Sequence, residues 1–323
     1  MKLMPTWGDI LVELQKSTIP GSPPPFDAVR RKYLAILSAY TKRNTVLYAT
    51  FWNKPIADPV SVLINDEDMQ GFMEVFHGLH GNSLDIILHS PGGQAESAEA
   101  IVSYVRSKFS DVRVIVPQLA MSAATMLACS ANEIVMGKHS SIGPIDPQLL
   151  INDSHGVGQS VPAQAILDQF EMAKEQFKKP VNVGPWLPIL EQYGPALLVQ
   201  CEDAINLSKE LVQDWLARYM FSGQPGGSES AEHIARYLAN HTNFRSHSRH
   251  INAQTARSIG LKVRDLESDQ SLQDKVLSVF HATNHTFGAT GAVKIIENHE
   301  GKAFIKQQLS FSSQGERKIE EKK

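Results

Sequence analysis

Two short apolar runs, residues 84–88 and 112–116, each lead into a segment of small or turn-forming residues and then into a helical stretch. No other feature constrains the fold as strongly. The first run ends in Ser90-Pro91-Gly92-Gly93, and residues 94–109 then place Ala98, Ile101, Val102 and Val105 on one helical face. The second leads to Met121-Ser122-Ala123-Ala124, a small-residue helix over 121–130 and a further strand over 133–136. Apolar runs of this length bounded by turns read as strands buried on both faces, and the helices between them as crossovers. The expectation is an α/β fold with a largely parallel sheet.

The same reading predicts helices over 26–40, 66–80, 162–178, 196–219 and 276–287. It predicts a strand over 44–51 and a turn and strand over 260–263. Residues 140–148 and 222–230 read as loops. Three consecutive prolines within residues 19–25 fix the backbone and remove amide donors, so this segment reads as a stiff linker. Residues 315–323 read as a charged, frayed tail.

Parallel strands open their C-terminal ends on one edge of the sheet, where ligands bind in such folds. Gly92-Gly93 and Ser122 both stand at such ends. A serine at a helix start sits beside orphan backbone N–H groups and the positive end of the helix dipole. Glycines let backbone approach a substrate closely. Together these parts can form an oxyanion hole, with the Gly93 and Ala123 N–H groups as donors and Gly92 in the same turn. The plainer alternative is that Ser122 is an N-cap and Gly92-Gly93 only a turn.

Composition narrows the choice of chemistry. A formal net charge of -3 leaves no electrostatic footprint for nucleic acid. Two cysteines, Cys129 and Cys201, are too few for a disulfide framework or a Cys-based zinc site. His281 and His285 stand one helical turn apart but lack a third ligand at credible spacing, so no metal is expected. Gly288-Ala289-Thr290-Gly291 lacks the lysine and preceding strand of a phosphate loop, and no cofactor is expected. The first residues do not read as a signal peptide, and no stretch approaches the roughly 18 apolar residues of a membrane span. The expected location is the cytoplasm.

The stretch LHSPGG (88–93), followed by VPQLAMSAATMLACSANEIVMGKHSSIGPIDPQ (116–148), closely resembles the serine dehydrogenase proteinase family. That family is grouped with the Clp proteases, signal peptide peptidase A and the crotonases. RRKYLAILSAYTKRN (30–44), ARSIGLKV (256–263) and HTFGATGAVKIIENHEGKAF (285–304) resemble its terminal parts. The resemblance implies a Clp/crotonase-like fold of repeated ββα units with helical N- and C-terminal extensions. On this basis the chain divides into an N-terminal extension and linker (1–25), a peptidase domain (26–275) and a C-terminal helical extension with tail (276–323). It further implies Ser122 as nucleophile, Gly93 and Ala123 as oxyanion donors, a peptide or protein substrate, and a homo-oligomer built on trimers or larger rings.

The chain also departs from its relatives. Clp proteases carry a histidine after the nucleophile helix, where this sequence reads Ile145-Asp146-Pro147. Signal peptide peptidase A uses a lysine at the position that Ala163 occupies. Ala124 replaces the glycine usual in the nucleophile turn. A serine needs a base to act as a nucleophile. Three candidates are open: His247, Lys174 and, as an orienting group, Asp146. His247 lies in Ser246-His247-Ser248-Arg249-His250, where the family usually reads Thr-His-Asp-Tyr-Pro. Lys174 lies about three turns along the helix that follows Pro162. His89 precedes the glycine turn as a lining residue. Two other functions stay open: a binding or scaffold protein on the same fold, and a crotonase-type enzyme acting on an acyl-CoA.

Overall fold

A computed structural model describes residues 5–51, 58–152 and 158–308. In chain order, helices α1 (Trp7–Ser17) and α2 (Phe26–Thr41) precede strand β1 (Asn44–Thr50). Helix α3 (Asp68–Phe76), β2 (Ser83–His89), α4 (Ala95–Lys108), β3 (Asp111–Val116), the short β4 (Leu119–Ala120), α5 (Ala123–Cys129) and β5 (Glu133–Met136) follow. Next come the short β6 (Ser141–Ile142), a hairpin of β7 (Gln148–Asn152) and β8 (Gly158–Pro162), and helices α6 (Ala163–Gln176), α7 (Val183–Leu190) and α8 (Leu197–Trp215). The chain continues through α9 (Gly227–Ala239), α10 (His241–Phe244), β9 (Ile251–Asn252), α11 (Ala253–Ser258), β10 (Val263–Asp265) and α12 (Gln270–Ala289). Strands β11 (Ala292–Asn298) and β12 (Ala303–Gln307) complete the described fold.

The main sheet has the order β10-β5-β3-β2-β1-β11-β12. Five strands, from β10 to β1, are parallel, and β11 and β12 add antiparallel at one edge. Side chains along each strand alternate between two cores, as the two-residue period requires. Val46 and Tyr48, Leu84, Ile86 and Leu88, and Val112, Val114 and Val116 face one core, which α4, α5, α8 and α9 cover. Leu47, Ile87, Ile115, Val135 and Ile295 face the other, which α1, α2 and α12 cover. This two-sided burial explains why residues 84–88 and 112–116 read as largely apolar runs, and their charged members, Asp85 and Arg113, pair with each other.

A second sheet, β4-β6-β9, makes the ββα pattern visible: β3 runs on into β4 and then α5, and β5 runs on into β6. The expected α/β fold of ββα units is the one observed.

The expected division at residue 275 falls inside the continuous helix α12. Strand β11 is buried along its whole length, pairing with β1 and β12. Residues 276–308 therefore belong to the core. The N-terminal segment likewise contains α1, whose Ile10 and Leu14 are buried in the second core. A capping box between Thr6 and Asp9 starts this helix. The charged tail lies outside the described residues.

Candidate active site

Ser122 stands between β4 and α5 with φ 52° and ψ −123°, a conformation unusual for a residue with a β-carbon. Such a conformation costs roughly 1–3 kcal/mol and persists only where neighbours over-determine it. Here they do. Ser90 N–H donates to Leu119 O at 3.0 Å, and Met121 N–H donates to Ser90 O at 3.0 Å, so the end of β2 is laced to β4. Thr125 Oγ1 donates to Ala120 O at 2.8 Å and accepts from Gly143 N–H at 2.9 Å, which pins α5 on both sides. The Ser122 side chain makes no capping hydrogen bond to α5. Ser122 thus occupies the N-cap position without capping α5 through its side chain.

Gly92 lies directly against this turn. A β-carbon there would come within 2.6 Å of Ser122 Cβ and 2.9 Å of Ala123 N, and its φ is +102°. A β-carbon on Gly93 would come within 2.2 Å of Ile64 O. Ile64 bridges Gly93 by donating to Gly92 O at 2.8 Å and accepting from Gln94 N–H at 2.9 Å. In a parallel bridge of this kind the middle residue points its own N–H away from the partner strand. The Ala123 N–H is an orphan of the first turn of α5. Among the described residues neither the Gly93 nor the Ala123 N–H has a backbone partner. Two unpaired donors thus flank Ser122.

The small sheet gathers the remaining groups. β4 and β6 run parallel, so Ser122 and Asp146 both follow the same end of that sheet. β9 runs antiparallel to β6 with Ile142 opposite Ile251, so residues preceding β9 return to that end. His247 lies in the turn just before β9 and Asp146 in the segment that follows β6. Asp146 is 2% exposed, and its Oδ1 meets His247 Nδ1 at 2.8 Å. Its Oδ2 meets the Nδ1 of a second histidine, His241, also at 2.8 Å, and Gln148 Nε2 at 3.2 Å. A carboxylate offers only lone pairs, so each imidazole donates through Nδ1. Each Nε2 is left as the basic nitrogen. Both rings keep partial access to solvent.

Sequence reasoning missed His241. It lies 95 residues from Asp146, at the start of α10 and outside the quoted family motifs. No local spacing could have signalled it.

The other candidates stand elsewhere. Lys174 is on an exposed face of α6, where it pairs with Glu171 at 2.8 Å. Its reading as an alternative base has no geometric support. Ala163 is buried at the first position of α6, its N–H bonded to Pro147 O. His89 is buried, accepts weakly from Leu119 N–H at 3.4 Å and packs edge-on against Phe280. Burial pushes its imidazole down to about 4. His285 stacks on Trp7 and meets its carbonyl oxygen at 2.9 Å. Among the described residues no group of three or more His, Cys, Asp or Glu could hold a metal ion.

On this Clp/crotonase-like sheet, Ser122 in its strained turn, two amides without backbone partners and the Asp146–His247 pair are groups that a serine hydrolase would use. Residues 59–298 match the family described as ClpP-like SDH-type serine proteinase, and the chain belongs to that family. Among curated proteins it is 29% identical over 180 residues to uncharacterized protein MJ1495 of Methanocaldococcus jannaschii, covering 56% of this chain and 51% of the relative. It is 35% identical over 92 residues to uncharacterized protein MJ0137 of the same organism, covering 28% of this chain and 32% of the relative. The matches thus span about half and about a third of these relatives. Among solved structures, a serine-to-alanine mutant of the 1510-N membrane-bound stomatin-specific protease aligns with a TM-score of 0.38 at 18% identity. That alignment covers 66% of this chain and 79% of the other. A lysine-to-alanine mutant of that protease with a substrate peptide aligns with a TM-score of 0.23 at 20% identity, covering 62% and 84%. Likenesses this low carry no argument about the site. Among the described residues no helix is long and apolar enough to cross a membrane.

Proposed function

We propose that the chain is a serine endopeptidase in which Ser122, His247 and Asp146 act as nucleophile, base and orienting group. The observation that carries this reading is Asp146, buried and holding His247 by Nδ1 at the end of the small sheet where Ser122 stands. His247 Nε2 takes the Ser122 proton as Oγ attacks a peptide carbonyl carbon. The carbonyl electrons move to oxygen, and the Gly93 and Ala123 N–H groups hold the resulting oxyanion. One such donor is typically worth about 3 kcal/mol of transition-state stabilisation. The imidazolium returns its proton to the amine as the C–N bond breaks, leaving an acyl-enzyme. Water, deprotonated by the same Nε2, then releases the acid and restores Ser122.

Among the described residues the Ser122 hydroxyl has no hydrogen-bond partner. The proposal requires His247 Nε2 to reach Ser122 Oγ with substrate in place, as catalytic hydrogen bonds commonly tighten only in the complex. His241 holds the second oxygen of Asp146 and keeps that carboxylate in position. The scaffold alternative rested on the lack of a base near Ser122, and the two imidazoles on Asp146 weaken it. No observation favours an acyl-CoA substrate. The functional unit is taken to be a homo-oligomer, in keeping with the family resemblance; sedimentation of the purified chain tests the assembly.

The test is proteolysis of an unfolded protein such as casein, with the new N-termini mapped. Cleavage by the wild type and none by Ser122→Ala is expected. Equal cleavage by both proteins would assign any proteolysis to a contaminant and refute the reading.

A further inference from the structure

A buried ion pair that takes no part in the chemistry above lies behind the glycine turn. Lys294, on β11, and Asp68, at the start of α3, are each about 1% exposed and form a salt bridge. Such a pair is weak evidence for stability, since desolvating both charges offsets their attraction. Its partners point to another role. Asp68 Oδ2 accepts from Tyr48 Oη at 2.7 Å and from Asn65 N–H at 3.2 Å. Lys294 Nζ also donates to the carbonyl oxygen of Leu63 at 2.8 Å.

Leu63 C=O and Ile64 N–H belong to one peptide group. That N–H donates to Gly92 O at 2.8 Å. Gly92 C=O and Gly93 N–H belong to the next peptide group. Peptide groups are planar and trans, so the carbonyl and the N–H of each point in opposite directions. The order is Lys294 ammonium, Leu63–Ile64 peptide, Gly92–Gly93 peptide, then the Gly93 N–H. The chain is continuous, and every dipole in it points the same way. Hydrogen bonds in series polarise one another, more so where water is excluded.

We infer that Lys294 is a positioning residue for the oxyanion hole, acting through the Leu63–Ile64 and Gly92–Gly93 peptide groups on the Gly93 N–H. This rests on the proposed role of Gly93. Lys294 fixes the plane of the Leu63–Ile64 peptide, which fixes the Gly92 carbonyl, and so sets where the Gly93 hydrogen points. Its charge also draws electron density along the same line. Asp68 holds the ammonium in place, and burial alone would favour its neutral form.

The experiment compares wild type, Ser122→Ala, Lys294→Met, Lys294→Gln and Lys306→Met. It measures kcat and KM for p-nitrophenyl acetate and the rate of labelling by a fluorophosphonate, which places a phosphoryl oxygen in the same hole. Removing a whole oxyanion donor costs roughly 100- to 1000-fold in kcat. A weakened donor is expected to lower kcat and the labelling rate together by about 10- to 100-fold, with KM within about twofold. Lys306→Met removes a nearby but more exposed charge and is expected to behave as wild type. If Lys294→Met does not fold, the neutral amide of Lys294→Gln carries the test. Wild-type kcat and labelling in a folded Lys294 variant, or a loss confined to KM, would overturn this inference alone. No Ser122-dependent labelling of the wild type would overturn both it and the reading of Gly93 on which it rests.

Discussion

Asp146 and His247, 101 residues apart in the chain, are joined by a 2.8 Å contact between Oδ1 and Nδ1. His247 lies in the turn that precedes β9, and β9 pairs antiparallel with β6, the strand that leads toward Asp146. The candidate base therefore depends on main-chain geometry and on one carboxylate shared with His241.

Two histidines on one carboxylate can be told apart by kinetics. His247→Ala is expected to lower kcat by about 100- to 10,000-fold, the usual contribution of a general base. His241→Ala is expected to cost about tenfold, since it removes a partner of Asp146 and not the base. Asp146→Asn should fall at least as far as His247→Ala, because an amide that donates toward Nδ1 selects the wrong tautomer. Steady-state hydrolysis of p-nitrophenyl acetate measures all three. The reverse order for the histidines would assign the base to His241.

Gly92→Ala is expected to remove activity. Its methyl would overlap Ser122 Cβ and Met121 O at 2.6 and 2.5 Å, and the φ of +102° is itself strained for alanine. Relief requires the turn to open, which moves the Ala123 N–H from its place. A thermal melt should show a loss of about 1–3 kcal/mol, with fluorophosphonate labelling lost even where the variant stays folded. Wild-type labelling would show that the close approach is not needed.

Acid stability should report on His89. Its imidazole, held down to about 4 by burial, takes up a proton near 6.5 once the chain unfolds. Between those values the unfolded chain binds more protons, so stability falls as pH drops from about 6.5 toward 4. At 1.36 kcal/mol per pKa unit the full effect is on the order of 3 kcal/mol. Urea unfolding at pH 7 and pH 4.5 should show a smaller loss in His89→Gln than in the wild type. An equal loss in both would place the acid-sensitive group elsewhere.

Lys174→Ala should leave activity within about twofold. An exposed lysine pair three residues apart on a helix contributes only a few tenths of a kcal/mol to stability. A large loss of kcat would return Lys174 to the list of bases.

Local pattern made the strand ends legible. Residues 84–88 and 112–116 are largely apolar because both faces of the sheet are covered, their charged members Asp85 and Arg113 pairing with each other, and Gly92 and Ser122 closely follow strands whose ends the turn residues announce. What depends on pairing between distant segments was hidden. Asp68 and Lys294 are 226 residues apart, and although Lys294 lies in the family-like stretch 285–304, nothing there points to Asp68. Strand β11 pairs with the distant β1, so sequence order gave no hint that residues 292–298 would be buried in the main sheet. Helix α9 escaped notice because its first turn lies in the Gly- and Ser-rich stretch 222–230, which locally reads as loop. His247 was legible only through the family resemblance, and Asp146, open there as an orienting group, is tied to it by the 2.8 Å contact.

The central claim is that Ser122 is an activated nucleophile. Fluorophosphonate labelling followed by intact mass of wild type, Ser122→Ala and His247→Ala tests it most directly. The account predicts one adduct on the wild type, none on Ser122→Ala, and labelling at least 100-fold slower on His247→Ala. A folded wild-type protein that takes up no adduct, or an adduct that persists in Ser122→Ala, would contradict it.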